Sequence, residues 1–324
     1  MAICLVTGGA GFIGSHLVEA LLRHGHKVRV LDNFSTGDPA NLEQVREQVR
    51  VFDGDITDRT TVQAAVQGVE VVFHQAALAS VPRSIADPLA THQACATGTL
   101  HILQAAKEAG VRRVVYAASS SAYGASTRLP KCESDPTLPL SPYAVAKLAG
   151  EQYCAAFSGV YGLETVRLRY FNVFGPRQSP QSQYAAVIPK FIEAMTAGRS
   201  PVLHGDGEQS RDFTFVADVV RANLLAAEAP GVSGNVYNIA CGCRTSLLEL
   251  VMYLNTLLGG DIKPMHTDAR PGDVRHSQAS IERACVDLGY EPTTDIVTGL
   301  RHCLEWWRQH NRTPQSKRRS AAVA

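Results

Sequence analysis

The sequence predicts an α/β fold, a doubly wound parallel sheet with a smaller C-terminal α/β domain behind it. Three observations carry this. Short β-branched runs alternate with amphipathic helical stretches through the first half. A glycine cluster closes the first run and opens a helix, as a parallel sheet that binds ligands at its strand ends requires. After about Gly175 the alternation gives way to a turn-rich loop and more irregular sequence. The chain has 324 residues, 45% of them hydrophobic, which is material for one large core and one smaller one.

Taken in order, strands are predicted at 3–7, 27–31, 50–52, 71–74, 113–117 and 165–169, with helices at 12–24 and 100–109 between them. Such alternation means βαβ units. Residues 176–183 read as a loop and 187–197 as a helix, while the apolar run 236–239 suits a return to the first sheet. The expected division is therefore 1–176, rejoined by a segment near 212–240, then 177–310, then a flexible polar tail at 311–324. No internal repeat is present.

Charge narrows the function. Lys and Arg total 31 against 30 Asp and Glu, a net charge of +1, which excludes the basic surface of a nucleic-acid binder and gives no membrane-binding patch. The opening MAICLVTGG has no basic segment before its apolar run, unlike a signal peptide, and no stretch reaches the roughly 18 apolar residues of a spanning helix. A cytoplasmic protein is expected. Its 8 cysteines then read as reduced, small hydrophobic residues. Cys241 and Cys243 lack the second pair that a metal site needs, so no metal is expected.

The first strand ends in Thr7-Gly8-Gly9-Ala10-Gly11-Phe12-Ile13-Gly14. Glycines at this spacing let the backbone turn sharply and let a pyrophosphate reach the N–H groups at a helix N-terminus. In the first strand–helix unit, this is the mark of a Rossmann-type dinucleotide site. Asp32 closes the second strand, where a carboxylate accepts from ribose hydroxyls and repels a 2′-phosphate, favouring NAD over NADP. Gly54-Asp55-Ile56 is placed to hold adenine, and Gln75-Ala76-Ala77 offers small residues for close backbone contact. His74, just before them, is read as structural.

Ser119, Ser120 and Ser121 follow the fifth strand. Beyond them, Tyr143 and Lys147 stand at i and i+4 of a helix begun by Pro142, on one face. An ammonium beside a phenol favours the phenolate, so Tyr143 is expected to act as a general base.

These residues resemble those of the extended short-chain dehydrogenase/reductase family and, within it, the nucleotide-sugar 4-epimerases. The resemblance runs through TGGAGFIG, DNFSTG (32–37), HQAA (74–77), SSSAYG (119–124), SPYAVAK (141–147), RYFNVFGPR (169–177), GDGEQSRDF (205–213) and RPGDV (270–274), to about residue 310. It implies tightly held NAD, bound by Gly8, Gly11, Phe12, Ile13 and Gly14, by Asp32, Asn33, Ser35, Thr36 and Gly37, and by Asp55 and Ile56. Gln75, Ala76, Ala77, Ala79, Tyr170 and Val173, with Tyr143 and Lys147, complete that set. It also implies that Tyr143, assisted by Ser119, takes the proton of a sugar 4-hydroxyl while hydride leaves carbon 4, and that hydride returns on the opposite face after the keto sugar swings about its diphosphate. Asn172, Arg211 and Arg270 would hold the diphosphate. Asp273 would accept from the uridine ribose, and Ala186, Val187 and Phe213 would line the nucleoside pocket. Ser80, Arg83, Ser120, Ser121 and Gln178 would face the sugar.

Within that family a small residue at the position of Ser277 leaves room for an N-acetyl group. The expected substrates are therefore UDP-N-acetylglucosamine and UDP-N-acetylgalactosamine, with the plain UDP-glucose and UDP-galactose pair alongside. The alternatives are an epimerase for plain UDP-glucose alone, a UDP-glucuronate epimerase or decarboxylase using Arg83 on the carboxylate, and a non-catalytic NAD-sensing regulator. A 4,6-dehydratase would need an Asp–Glu pair where Ser120 and Ser121 stand. The resemblance further implies a homodimer through a four-helix bundle built from 89–109 and 142–158. There are departures: Cys95 stands where the family often has Asn, and the family often has another Asn near His101.

Overall fold

The computed structural model describes residues 1–180, 187–268 and 274–311. Its first half builds β1 (Ile3–Thr7), α1 (Phe12–Arg23), β2 (Lys27–Asp32), β3 (Val49–Asp53), α2 (Arg59–Val66) and β4 (Val71–His74). Then come α3 (Val81–Ala86), α4 (Pro88–His92), α5 (Gly98–Glu108), β5 (Arg113–Ser119), α6 (Pro142–Tyr161) and β6 (Glu164–Tyr170). These six strands and the later Asn235–Ile239 segment form one seven-stranded sheet, running Asn235–Ile239, β6, β5, β4, β1, β2, β3. Every pairing in it is parallel. The strand order reverses between β1 and β4, and that gap is where a doubly wound sheet opens a crevice at its carboxyl ends.

Both faces of the sheet are covered, which explains why its strands are apolar throughout rather than alternating. On one side Leu17, Val18 and Leu21 of α1 pack with Val6, Val30 and Val115, joined by Val219 and Val220 of α8 (Val216–Glu228). On the other, Val62, Ile102, Leu103, Cys154 and Phe157 pack with Leu5, Leu31 and Val72. Ala284, Leu288 and Tyr290 also belong to the first layer, so a segment beyond 240, expected in the second domain, packs beneath the first sheet.

The long helix expected over 89–109 is interrupted. A π-helical turn at Gln93–Thr97 separates α4 from α5, and the Thr99 hydroxyl donates to the Cys95 carbonyl inside it. An extra residue in a turn is how a helix re-aims its side chains near a cavity. The smaller lobe is held by α7 (Val187–Thr196), α9 (Leu247–Leu258) and α10 (Ile296–His310), whose Phe191, Leu250 and Leu300 meet over Phe174 and Phe215. Helix α9 begins with a reciprocal cap between Ser246 and Glu249.

Among the described residues one ion pair is wholly interior. Glu151 on α6 takes Arg169 of β6 with both carboxylate oxygens, at 3.0 and 2.6 Å, and the guanidinium lies 4.7 Å over the Tyr123 ring. Both residues are buried. Removing one partner of such a pair leaves an uncompensated buried charge. Glu151→Ala is therefore expected to lower unfolding free energy by about 3–5 kcal/mol, read from the denaturant midpoint. A loss below ~1 kcal/mol, the range of surface pairs, would show that the pair is not anchoring α6.

Candidate active site

Two separate cavities hold most of the residues expected in the site. The first, about 640 Å³, lies over β1, β2 and β4 and holds nearly all the residues expected to bind the dinucleotide. At its base are Gly8, Gly11, Phe12, Ile13 and Gly14; Asp32, Asn33, Ser35, Thr36 and Gly37 form one wall, with Asp55 and Ile56 beyond. Gln75, Ala76, Ala77, Ala79, Ser80 and Arg83 form the opposite wall, and Tyr143, Lys147 and Tyr170 close the far end. Val173 is the exception among these expectations: it lines the second cavity instead, because it follows the chain's turn away from β6.

The glycine turn is shaped by close approach. Gly8 has φ +68°, and a Cβ there would lie 2.8 Å from the backbone of Ala76. A Cβ on Gly14 would lie 2.1 Å from the Gly8 carbonyl oxygen. Helix α1 carries no side-chain cap at its N-terminus, so its first N–H groups face the cavity. A phosphate fits such an end. Asp32 accepts from the N–H groups of Ala10 and Phe34, both at 2.9 Å, which fixes its carboxylate at the rim beside Gly37. Burial pushes the Asp55 carboxyl up, but hydrogen bonds from Thr57 and Asn33 outweigh it and hold the group below its ordinary value.

Ser119 ends β5, and its hydroxyl lies 2.7 Å from that of Ser121. The Ser119 hydroxyl lies near enough to the Tyr143 phenol to favour its ionised form. Burial and the Cys95 thiol raise the phenol well above its usual value, with the Ser119 hydroxyl pulling the other way. The lowering expected from Lys147 does not govern this site. The lysine is itself buried, its pKa is pushed down, and its Nζ lies 4.3 Å over the Tyr116 ring. Ser119, Ser120 and Ser121 sit at the end of β5 beyond the surface of either cavity.

The second cavity, about 610 Å³, brings together Asn172, Val173, Gln178, Val187, Arg211 and Phe213. Asn172 takes φ +34° and donates through Nδ2 to the Asp212 carbonyl at 3.0 Å. Lys190, Arg199, His204 and Gln209 also line this cavity and escaped the sequence reading, since they belong to no single motif. Ser277 is buried and lines neither cavity, its N–H donating to the Ser210 carbonyl at 3.0 Å. Ala186, Arg270 and Asp273 lie outside the described residues, as does the expected tail from 312. Among the described residues no group of three His, Cys, Asp or Glu side chains is placed to hold a metal, and no helix is long and apolar enough to cross a membrane.

His74 is fully buried. Its Nδ1 lies 2.7 Å from the Thr7 hydroxyl and its Nε2 2.9 Å from that of Thr99. Because Thr99 already donates to Cys95, it accepts from Nε2–H, which sets the tautomer. A second buried network was not legible: Asn223 of α8 donates to Tyr170 at 2.8 Å and accepts from Gln75 at 3.0 Å, bracing two cavity residues from beneath the sheet.

The profile of the NAD dependent epimerase/dehydratase family matches residues 4–240. The chain belongs to that family. It is an enzyme, and its cofactor is NAD. A UDP-glucose 4-epimerase of Mycolicibacterium smegmatis is 39% identical over 94% of this chain and 98% of its own. Among solved structures, the UDP-N-acetylglucosamine 4-epimerase of Methanobrevibacter ruminantium, in complex with UDP-N-acetylmuramic acid, superposes with a TM-score of 0.91 at 41% identity, covering 95% of this chain and 99% of that one. The Thermus thermophilus UDP-glucose 4-epimerase in complex with NAD superposes at 0.86, with 35% identity over 94% and 99%.

The buried groups make a pH prediction. Burial and the Lys147 charge lower His74 from 6.5 to about 3, so the folded chain keeps it neutral where the unfolded chain would be protonated. Its contribution is complete above pH 6.5 and is lost, at about 1.4 kcal/mol per pH unit, as pH falls towards 3. Asp212 runs oppositely: burial raises it from 3.8 to about 6, so its contribution is largest in acid and is lost as pH rises through 6. The two offset each other between, and comparison with His74→Gln separates them. The stability gap between wild type and this variant is expected to shrink as pH drops below 6.5 in chemical denaturation. A gap independent of pH would contradict the neutral, buried His74.

Proposed function

We propose that the protein is a UDP-sugar 4-epimerase that interconverts UDP-N-acetylglucosamine and UDP-N-acetylgalactosamine, and the plain UDP-glucose and UDP-galactose pair alongside. The observation that carries the reading is the division of the expected residues between two cavities, with Tyr143 and Lys147 lining one and Asn172, Arg211 and Phe213 lining the other. In this reading 177–310 supplies most of the nucleotide-sugar part, and the rest of the chain the cofactor part.

Bound NAD supplies reversible hydride acceptance at carbon 4, and the positive charge of its oxidised ring favours a phenolate nearby. The chain's own groups do the rest. The Gly8–Gly14 turn and the open end of α1 hold the pyrophosphate, while Asp32 takes the adenosine ribose. Tyr143 removes the 4-hydroxyl proton and later returns one, with Ser119 sharing its hydrogen bond. Lys147 holds the nicotinamide ribose. Arg211, and Arg270 outside the described residues, grip the diphosphate as forks suited to phosphate oxygens, so the sugar can turn while its handle stays fixed.

Tyr143→Phe is expected to reduce turnover by about 100-fold or more while NAD stays bound, as absorbance and denaturant release would show. Turnover near wild type would remove Tyr143 from the chemistry. Ser277→Tyr tests the sugar specificity that the family resemblance places at this buried position, although Ser277 lines neither cavity. Added bulk in a packed site costs about 1–3 kcal/mol, so with that placement acetylated substrates should lose more turnover than plain ones. Parallel losses, or a wild type that ignores acetylated sugars, would favour a plain UDP-glucose epimerase; turnover of UDP-glucuronate would bring Arg83 forward instead.

A homodimer is part of the proposal. Ile85, Leu89, Val145 and Tyr153 are exposed on α3, α4 and α6, which pack side by side. A second copy of the chain placing the same helices against them would cover this apolar face. Light scattering is expected to give twice the chain mass at micromolar concentration; a mass near 34.9 kDa would contradict it.

A further inference from the structure

We infer that Asp212 is a positioning residue for the nucleotide cavity, holding together the chain segments that carry Arg211, Phe213, Asn172 and Ser277; the inference rests on the reading of that cavity as a UDP site. Asp212 lines neither cavity and is completely buried. Its carboxylate nevertheless accepts three backbone N–H groups: Cys241 at 2.9 Å on Oδ1, and Gly242 and Ala279, each at 3.1 Å, on Oδ2. Its own carbonyl accepts from Asn172.

Four segments that are far apart in sequence thus meet at one residue, three at its side chain and Asn172 at its carbonyl. The 211–213 segment carries the arginine and the aromatic ring that face the cavity. Asn172 holds a left-handed backbone that is rare outside glycine, and its bond to the Asp212 carbonyl fixes that strained residue against the cavity wall. Ala279 stands two residues beyond Ser277, whose N–H is itself tied to Ser210. The 241–242 turn returns from the last strand of the sheet, so it anchors the cluster to the larger domain. Among the described residues no ion pair to the carboxylate is found, and three peptide N–H groups hold it. Burial raises the carboxyl to about 6 against the pull of these bonds. Only an acceptor with two oxygens can serve all three donors.

The inference is distinguishable from a charge effect by its sign. Removing a negative charge close to a diphosphate site would tighten anion binding. Removing the acceptor instead loosens the 211–213 segment and weakens it. In Asp212→Asn one oxygen becomes an NH₂ group that meets an N–H donor, so at least one of the three bonds is lost. With NAD-loaded protein and UDP as the calorimetric probe, Asp212→Asn is expected to raise Kd about tenfold, and KM for the UDP-sugar with it, while kcat changes little and bound NAD is retained. Unchanged or tighter UDP binding would overturn the inference. So would an equal fall in kcat and kcat/KM with KM unmoved.

A second measurement needs no variant. If the Asp212 bonds strengthen UDP binding, UDP strengthens those bonds equally. Hydrogen exchange on the unaltered holoenzyme is expected to slow at the amides of Cys241, Gly242 and Ala279 when UDP is added, although none of the three lines the cavity. Exchange at these amides that ignores bound UDP would overturn the coupling. Absence of any UDP binding by the unaltered protein would instead overturn the reading of the cavity, and this inference with it.

Discussion

The contact on which the site depends is the approach of the Gly8 backbone to Ala76 across the gap between β1 and β4. The sheet reverses its strand order there, and the two strand ends must come close enough to form one floor. Any side chain at Gly8 would meet the Ala76 backbone, and any at Gly14 would meet the Gly8 carbonyl. The absence of two Cβ atoms thus sets where α1 begins. That in turn points its uncapped N–H groups into the cavity and brings Asp32 to the rim.

The same edge carries the acid–base groups. β5 ends at Ser119 and α6 starts at Pro142, so Ser119 and Tyr143 are delivered to one place by two elements that pack on each other. Beneath them the buried Glu151–Arg169 pair ties α6 to β6, and Gln75, Tyr170 and Asn223 tie β4 to β6 through α8. Rigidity here serves chemistry, because a proton moves well only over hydrogen-bond distance. The cost is a desolvated phenol, and a bound oxidised nicotinamide would supply the positive charge that favours its ionised form.

Much of this was legible in one dimension. The β1–α1 turn, Asp32 and the Tyr143/Lys147 pair are local patterns, readable because a strand end or one helix turn places them. The parts that were not legible depend on partners distant in sequence. Asn223 reaches Gln75 across 148 positions, and Asp212 reaches Ala279 across 67. The expected acidity of Tyr143 failed for a related reason: spacing shows that Lys147 is near, but not that burial dominates both groups. The π-helical turn at Gln93–Thr97 has no signature in the apolar pattern, which reads as a continuous helix. Strand ends were read short at Leu31 and Ala117, since Asp32 and Ser119 are polar yet remain in register with Asp53 and Tyr170.

These features suit a reversible oxidation in which Tyr143 would take the 4-hydroxyl proton while a bound NAD would accept, and later return, the hydride of carbon 4. The most direct test uses UDP-N-acetylglucosamine carrying deuterium at carbon 4, incubated with the NAD-loaded protein in ordinary water. UDP-N-acetylgalactosamine should form with the deuterium kept at carbon 4, because the hydride that leaves is the one that returns. Product that has lost its label to solvent would contradict the account, as would label found at carbon 4 of unreacted sugar alone with no epimer formed.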